Sequence, residues 1–257
     1  MNPMNHFFVI DVGNTSTHVG VVKGRRILKQ GRMPTRDGRD ERNITALLRR
    51  VAGKRVVSDA VLCSVVPGLN PLWSQVITKL CGASPMVVDH TIRLNFTVDY
   101  PRPETIGADR LADAAAAWDR YKGAVIVADF GTALTFDVIT GDGRYTGGVI
   151  APGLPLMTDY LAERTALLPQ IRLSNRFSAV GRSTDEAMRI GAMVGYRGMV
   201  REILGHIRAG MKERRVRFCA TGGYAGLALK GLETPVEILP ELTLEGLVRI
   251  RELNRPD

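Results

Sequence analysis

The stretch VIDVGNTSTHVGVV at residues 9–22 returns in altered form as VADFGTALTFDVI at residues 127–139. In each copy an apolar run leads into an acidic residue, a glycine and hydroxyl side chains, and a second apolar run follows. Three positions match at one constant offset: Asp11 with Asp129, Gly13 with Gly131, and Thr17 with Thr135. Two apolar runs around a polar turn predict a β-hairpin. Their repetition predicts two similar half-molecules that present polar loops to one ligand, and a nucleoside triphosphate fits best.

Strands and helices alternate around the two hairpins. Helical apolar spacing predicts helices over 40–51, 70–80, 108–121, 183–211 and 242–253. Short apolar runs predict further strands at 27–33, 60–66, 86–89, 144–150 and 216–220. This alternation is typical of an α/β protein with a mixed, partly parallel sheet. We place the boundary between residues 122 and 123, which gives halves of 1–122 and 123–257.

The charge balance is the one unusual bulk property. The chain has 257 residues and a formal net charge of +9. Lysine and arginine bind nucleic-acid phosphates by releasing counterions, and arginines cluster at 49–50, 214–217 and 249–251. These clusters lack interleaved aromatic residues and any zinc or helix-turn-helix signature. We therefore expect an arginine-rich solvated surface, which would also steer an anionic substrate, and no nucleic-acid partner.

Cysteine usage and hydropathy indicate the compartment. Cys63, Cys81 and Cys219 are odd in number and widely spaced, which is typical of reduced thiols rather than a disulfide framework. No apolar run approaches the roughly 20 residues that cross a bilayer. We expect a cytoplasmic protein without a membrane partner.

The first hairpin turn has the groups that a triphosphate requires. Gly13 lets the backbone approach a ligand closely, while 14–17 offer amide and hydroxyl donors to phosphate oxygens. Asp11 would hold a divalent cation through water. A Gly-Lys-Ser/Thr phosphate loop is absent, so cations and polar donors must neutralise the phosphates. A hairpin turn whose polar groups only satisfy its own backbone is the competing interpretation.

Further motifs narrow the family. They are SVVPGLN at 64–70, YPRPE at 100–104, GADR at 107–110, YTGGVIAPG at 145–153, GRST at 181–184, ATGG at 220–223 and LTLEGL at 242–247. Together with the two hairpins they resemble type III pantothenate kinase, in the expected order over residues 7–254. The resemblance implies an actin-like ATPase fold with two similar ribonuclease H-like halves and an active site in the cleft between them. It also implies ATP-dependent phosphorylation of pantothenate to 4'-phosphopantothenate, the first step of coenzyme A biosynthesis.

The resemblance also implies roles for particular residues. Asp109 is the expected proton acceptor and Asp129 the expected ligand of a monovalent cation, K⁺ or NH₄⁺, beside ATP and Mg²⁺. The pantothenate-binding residues are Tyr100, Gly107, Ala108, Asp109, Arg110 and Thr184. The ATP-binding residues are Asp11, Val12, Gly13, Asn14, Thr15, Ser16, Thr17, His18, Thr132, Gly222 and Gly223. A homodimer is implied too, through the helix at 108–121, although its alanines could instead pack within one subunit.

Chemistry agrees with Asp109 as the base. A carboxylate near a helix N-terminus and followed by Arg110 is kept ionised by its setting, and can take the proton of an attacking alcohol. Its competing role is a helix cap paired with Arg110 or Arg102.

Several other site residues have structural alternatives. Tyr100 could pack its loop, Thr184 could cap the next helix, and His18 could be a satisfied strand histidine. Gly222 and Gly223 could simply end a strand. At the level of the whole protein, relatives described as transcription accessory factors make a regulator the second hypothesis. Because Asp11, Asp109, Asp129 and Thr132 are all present, the kinase is preferred.

Overall fold

The computed structural model describes residues 6–255, so residues 1–5 and 256–257, which belong to the predicted halves, lie outside the described residues. The strands are β1 His6–Val12, β2 Ser16–Lys23, β3 Arg26–Pro34, β4 Val57–Ser64, β5 Met86–Val87, β6 Thr97–Val98, β7 Val125–Phe130, β8 Ala133–Ile139, β9 Arg144–Pro152, β10 Arg217–Thr221 and β11 Glu237–Ile238. The helices are α1 Glu41–Ala52, α2 Asn70–Cys81, α3 Ala108–Tyr121, α4 Leu156–Arg164, α5 Thr184–Gly210, α6 Ala225–Ala228 and α7 Leu242–Asn254.

The chain folds into two compact units. The first contains the described residues up to Lys122 together with those from Glu241 onward, and the second is Gly123–Pro240. In the first unit the sheet order is β3-β2-β1-β4-β5. β1 pairs antiparallel with β2 and parallel with β4. One face of this sheet packs on α1 and α2, and the other on α3 and α7.

The second unit repeats that arrangement. Its strands follow the order β9-β8-β7-β10-β11, with β7 antiparallel to β8 and parallel to β10. Position for position this is the order of the first unit, so the internal repeat predicted from the two hairpins is confirmed. A face of the sheet packs on α5, where Phe130 and Tyr196 are fully buried with ring centroids 6.4 Å apart.

The two hairpins differ by one residue in their loops. In the first, Val12 lies opposite Thr17 and Asp11 opposite His18. In the second, Phe130 lies opposite Leu134 and Asp129 opposite Thr135. The structural counterpart of Thr135 is therefore His18, not Thr17 as the constant sequence offset indicates, because the first loop is one residue longer.

Helix α7 returns to the first unit, whereas the sequence-based division assigned it to the second half. It packs against α3, β1 and β4 and buries Leu244, Leu247 and Ile250. Each such side chain stabilises the unit by about 2 kcal/mol relative to full exposure. Arg251 fixes the helix further: its Nε donates to Asp59 Oδ2 at 2.8 Å.

The alanine-rich face of α3 is buried inside the first unit. Ala112, Ala114, Ala115 and Ala117 are fully buried, and α3 packs against α7 and β4. The crossing with α7 is so close that a Cβ on Gly246 would lie 1.9 Å from the Ala112 carbonyl oxygen. These alanines therefore pack within one subunit, which was the alternative to a dimer contact.

The Asp59–Arg251 pair should make a large contribution to stability. Both side chains are nearly buried, at 12% and 11% exposed, and Arg255 also contacts Asp59. We expect Arg251→Ala to lower the free energy of unfolding by about 3 kcal/mol, because it leaves a buried carboxylate only partly compensated. Urea denaturation measures the change.

Arg36→Ala is the matched control. Its guanidinium is 85% exposed and lies 3.7 Å from Asp37, so its removal should cost no more than about 1 kcal/mol. Equal losses for the two variants would contradict the assigned role of Arg251.

Candidate active site

The loop of the first hairpin is tight and exposes its polar tip. Gly13 N donates to the Ser16 carbonyl at 3.2 Å, and a Cβ at Gly13 would lie 2.9 Å from that oxygen. Asn14 and Thr15 are exposed and Ser16 is half-buried. The amide and hydroxyl of the first two residues can therefore reach a ligand outside the loop.

Two predicted ATP-binding residues of this loop point inward. Val12 and Thr17 are fully buried, and the Thr17 hydroxyl lies 3.0 Å from that of Thr35. Thr35 in turn donates to the Gly13 carbonyl at 2.7 Å. The side chains of Val12 and Thr17 thus do not reach the loop tip, and Thr17 with Thr35 holds the turn in shape. Sequence reasoning did not identify Thr35, because this residue lies outside every recognised motif.

Asp11 lies in a row of side chains that crosses the first sheet. It pairs with His18 on β2 and with Cys63 on β4. Ile10 and Val12 belong to the core on the α1 and α2 side, so Asp11 faces the α3 side. Burial, assisted by the charge of Arg32, lowers the pKa of His18. The imidazole is therefore neutral at physiological pH.

Asp109 occupies the first turn of α3, directly after Gly107 and Ala108. Its Oδ1 accepts from the Arg110 backbone N–H at 2.8 Å, and a Cβ on Gly107 would lie 2.5 Å from that same oxygen. The lack of a side chain at Gly107 therefore makes room for the carboxylate. Ala108 is buried among core residues, which leaves only its backbone for a ligand.

The electrostatics of Asp109 differ from the sequence-based expectation that its setting favours the ionised form. Burial raises the pKa of Asp109, and the backbone N–H and guanidinium charge of Arg110 only partly oppose this. Desolvation wins because the carboxylate is packed against Gly107 and gains few donors. The result is a more basic carboxylate than a surface aspartate.

Tyr100 and Thr184 are both accessible. Tyr100 is 36% exposed, in the loop before α3 of the first unit. Thr184 is the exposed first residue of α5 in the second unit. The cap of that helix is Ser183, whose Oγ accepts from Glu186 N at 3.2 Å. Thr184 is thus not the cap, and its hydroxyl is accessible to a ligand.

The loop of the second hairpin also exposes a hydroxyl residue. Gly131 N donates to the Ala133 carbonyl at 3.1 Å, and Thr132 is exposed. Phe130 points into the core and does not occupy the loop. Gly153, at the end of the YTGGVIAPG motif, packs so closely that a Cβ there would lie 2.1 Å from the Thr132 carbonyl oxygen. Gly153 therefore supports this loop, a role that sequence reasoning did not assign.

Gly222 and Gly223 have different surroundings. Gly222 has a φ of +90°, and a Cβ there would lie 2.3 Å from Asp129 Oδ1 and 2.5 Å from the Phe130 carbonyl carbon. Nothing lies within 4 Å of a Cβ at Gly223. Gly222 thus packs closely against the second hairpin, while Gly223 leaves space beside its backbone. Their predicted contact with ATP stays a prediction.

Two carboxylates could bind cations. Asp11 and Asp129 each lie one residue before the end of a central strand, beside a polar loop. Hard cations such as Mg²⁺ prefer carboxylate, carbonyl and water oxygens. Among residues 6–255 no group of three or more His, Cys, Asp or Glu side chains is arranged to hold a metal ion. Each of the two acids offers a single carboxylate, which can hold such a cation directly or through water.

Comparison with known proteins identifies the family. A family model described as type III pantothenate kinase matches residues 7–206. A type III pantothenate kinase of Akkermansia muciniphila is 42% identical over 242 residues, which is 94% of this chain and 96% of that protein. Another, from Dehalococcoides mccartyi strain CBDB1, is 35% identical over 253 residues, 96% of this chain and 95% of that protein. The chain belongs to the type III pantothenate kinase family.

The predicted reaction and fold are thereby confirmed. The family phosphorylates pantothenate in coenzyme A biosynthesis, and this is the reaction of the chain. A putative 2-dehydro-3-deoxygalactonokinase from Sinorhizobium meliloti superposes with a TM-score of 0.61 at 14% identity, over 98% of this chain and all of that chain. A ROK family glucokinase from Streptomyces griseus gives 0.57 at 16%, over 98% of this chain and 100% of that chain. These likenesses show the fold alone, the actin-like ATPase fold. Within the described part of the chain, no helix is long and apolar enough to cross a membrane.

The contrast between Gly222 and Gly223 is testable in this pantothenate kinase family member. Gly222→Ala should lower the free energy of unfolding by about 3 kcal/mol, because an alanine meets both a positive φ and the Phe130 backbone. Gly223→Ala should stay within about 0.5 kcal/mol of wild type. Thermal and urea unfolding compare the two, and a Gly222→Ala protein as stable as Gly223→Ala would refute the close approach to Asp129.

Proposed function

We propose that Asp109 is the general base of the phosphoryl transfer. Its carboxylate would accept the proton of the pantothenate hydroxyl as that oxygen attacks the terminal phosphorus of ATP. The observation that carries this role is the position of Asp109: it is packed against Gly107 at the start of α3, with one oxygen bonded to the Arg110 N–H at 2.8 Å. The other oxygen is left to meet the hydroxyl.

The raised pKa of Asp109 suits this task. A base is more effective as its pKa approaches the working pH, provided that it stays ionised. Burial moves the pKa of Asp109 upward, and Arg110 limits that rise. The N-terminus of α3 adds a favourable field for the ionised carboxylate. Asp109 is thus more basic than a surface aspartate while its charge is still supported.

We assign the ATP phosphates to the two hairpin loops. The first offers Asn14, Thr15 and the Gly13 backbone at its exposed tip, and the second offers Thr132. Since neither loop has a lysine, cations must complete the neutralisation. We propose Mg²⁺ held through water by Asp11 and a monovalent cation, K⁺ or NH₄⁺, at Asp129. When bound, these cations balance the negative charge that develops on the phosphate oxygens.

We propose that pantothenate contacts residues 107–110, Tyr100 and Thr184. The segment 107–110 would bind it beside the base, with the Arg110 guanidinium directed to its carboxylate. Tyr100 provides an accessible aromatic surface, and Thr184 an accessible hydroxyl. The side chains of Tyr100, Arg110 and Thr184 are at least partly solvent-accessible, as a substrate contact requires.

We further propose a cytoplasmic homodimer without a nucleic-acid partner. All three cysteines are free thiols, as expected in a reducing compartment. One of the arginine clusters is used within the chain: Arg249 pairs with Asp119 and Glu252, and Arg251 with Asp59. Those charges serve packing and are not offered to phosphates.

Asp109→Asn tests the base. We expect the turnover number to fall by about 100-fold or more, the usual contribution of a positioned base. The variant should be at least as stable as wild type, because it removes a charge that burial disfavours. ADP release coupled to pantothenate, with thermal unfolding in parallel, measures both.

The pH dependence follows from the same shift. The base must be ionised, so kcat/KM should fall as pH is lowered through the pKa of Asp109, and burial places that acid limb above the ordinary aspartate value of 3.8. Full activity of Asp109→Asn would exclude this residue as the base. Wild-type protein without pantothenate-dependent turnover would contradict the assigned reaction itself.

Thr184 and Ser183 form a matched pair for the substrate contact. Thr184→Val should raise the KM for pantothenate about fivefold, equivalent to about 1 kcal/mol for one hydrogen bond, with little effect on stability. Ser183→Ala should instead cost about 1 kcal/mol of stability through the lost helix cap and leave that KM unchanged. The reverse pattern would show that Thr184 does not contact pantothenate.

A further inference from the structure

Each hairpin acid has a neighbour in register on the adjacent parallel strand. On β4 the neighbour of Asp11 is Cys63, and on β10 the neighbour of Asp129 is Thr221. Because directly paired residues lie on the same face of a sheet, each acid has one such side chain beside it. The two units therefore place Cys63 and Thr221 at equivalent positions.

These neighbours share their small size, their burial and a hydrogen that can be donated. Cys63 is fully buried and Thr221 is 3% exposed. Each is a small side chain with one hydrogen to donate, a thiol or a hydroxyl. Two residues earlier on the same faces are Val61 and Cys219, and these pair with the apolar Val9 and Val127. A thiol or hydroxyl thus lies beside each acid. The thiol of Cys219, two residues before Thr221, lies beside the apolar Val127 instead.

Cys63 lies in register beside Asp11 on the same face of the sheet, so its thiol is placed to donate to the Asp11 carboxylate. Complete burial raises the pKa of Cys63 well above its ordinary value, and the negative charges of Asp11, Asp109 and Asp113 and a hydrogen bond to Asp11 add to this rise. A thiol that is fully buried is protonated at neutral pH and unreactive, so Cys63 is a potential donor and not a nucleophile. Sequence reasoning treated Cys63 only as a buried thiol and gave no role to Asp113.

We propose that Cys63 and Thr221 are positioning residues, which orient the carboxylates of Asp11 and Asp129 from the neighbouring strand. The inference rests on the cation-binding roles proposed above for those two acids. A carboxylate has two oxygens and rotates about one bond. A donor on the inner side fixes that rotation, so that the remaining lone pairs face the loop and its hydrated cation. Groups that orient metal-binding carboxylates in this way control affinity without touching the ion.

Direct binding of Mn²⁺ in the presence of a non-hydrolysable ATP analogue tests the first unit without relying on turnover. We expect Cys63→Ala to weaken Mn²⁺ binding about 10-fold, within the usual effect of removing an orienting group. Cys63→Ser keeps a donor at that place and should restore affinity to near that of wild type. Electron paramagnetic resonance of free Mn²⁺ gives the dissociation constants.

Val61→Ala is the matched control for packing. Val61 is as buried as Cys63, on the same strand and face, and its truncation leaves a larger cavity. It should lower the melting temperature at least as much as Cys63→Ala and leave Mn²⁺ affinity at the wild-type value. Loss of Mn²⁺ affinity in Val61→Ala would reduce the effect of Cys63 to packing and overturn the proposal.

The second unit provides a separate arm. Thr221→Val keeps the shape and removes the hydroxyl, whereas Thr221→Ser keeps it. Calorimetric affinity for the ATP analogue, titrated with potassium, should lose its potassium dependence in Thr221→Val and retain it in Thr221→Ser. Identical potassium curves for the two variants would overturn the role of Thr221.

Asp11→Asn separates this inference from the proposed function. Suppose that Asp11→Asn loses Mn²⁺ affinity. If Cys63→Ala then keeps wild-type affinity, or if Cys63→Ser binds Mn²⁺ as weakly as Cys63→Ala, only the positioning role of Cys63 is refuted. If Asp11→Asn binds Mn²⁺ as tightly as wild type, the cation role of Asp11 and the positioning role of Cys63 fall together.

Discussion

A carboxylate at the end of a buried central strand is the constraint on which each unit depends. The strand before it must be apolar to pack between helices, yet the acid must stay partly hydrated to hold the cation proposed for it. The chain meets both demands near the end of each strand: Ile10 and Ala128, which precede the acids, are fully buried, whereas Asp11 and Asp129 are only partly so. Three features surround that acid: the polar hairpin loop after it, the residue paired with it on the adjacent parallel strand, and the closely packed glycines nearby.

Glycine approach is the second consequence. At Gly222 and Gly153 the backbone comes so near the second hairpin that no side chain fits. These contacts bring β10 and the end of β9 against the acid and the loop tip from two directions. The loop is thereby held by rigid strands, which reduces the ordering that a phosphate would otherwise have to impose.

The sequence predicted the local elements and the repeat, because apolar period and turn residues are local signals. The alternation around Asp11 and Asp129, and the helical spacing of α1, α2 and α7, required nothing beyond neighbouring residues. The packing of α7 on the first unit could not be predicted, since an amphipathic pattern does not show which surface a helix packs against. The pairing of Asp11 with His18 could not be predicted either, because a one-residue difference in loop length changes the strand register without changing the motif.

The site was predictable to the extent that its residues lie in motifs. GADR marked Asp109, and GRST marked Thr184 but did not show that Ser183 is the cap. The environment of Asp109 could not be predicted from the sequence, because the burial that raises its pKa comes from packing around α3 and not from adjacent residues. Sequence reasoning weighed only the helix terminus and Arg110, both of which favour the charge. In the folded chain desolvation outweighs them, so the carboxylate costs stability at neutral pH. That cost falls as pH is lowered and the group is protonated, and it is consistent with a residue retained for its chemistry and not for the fold.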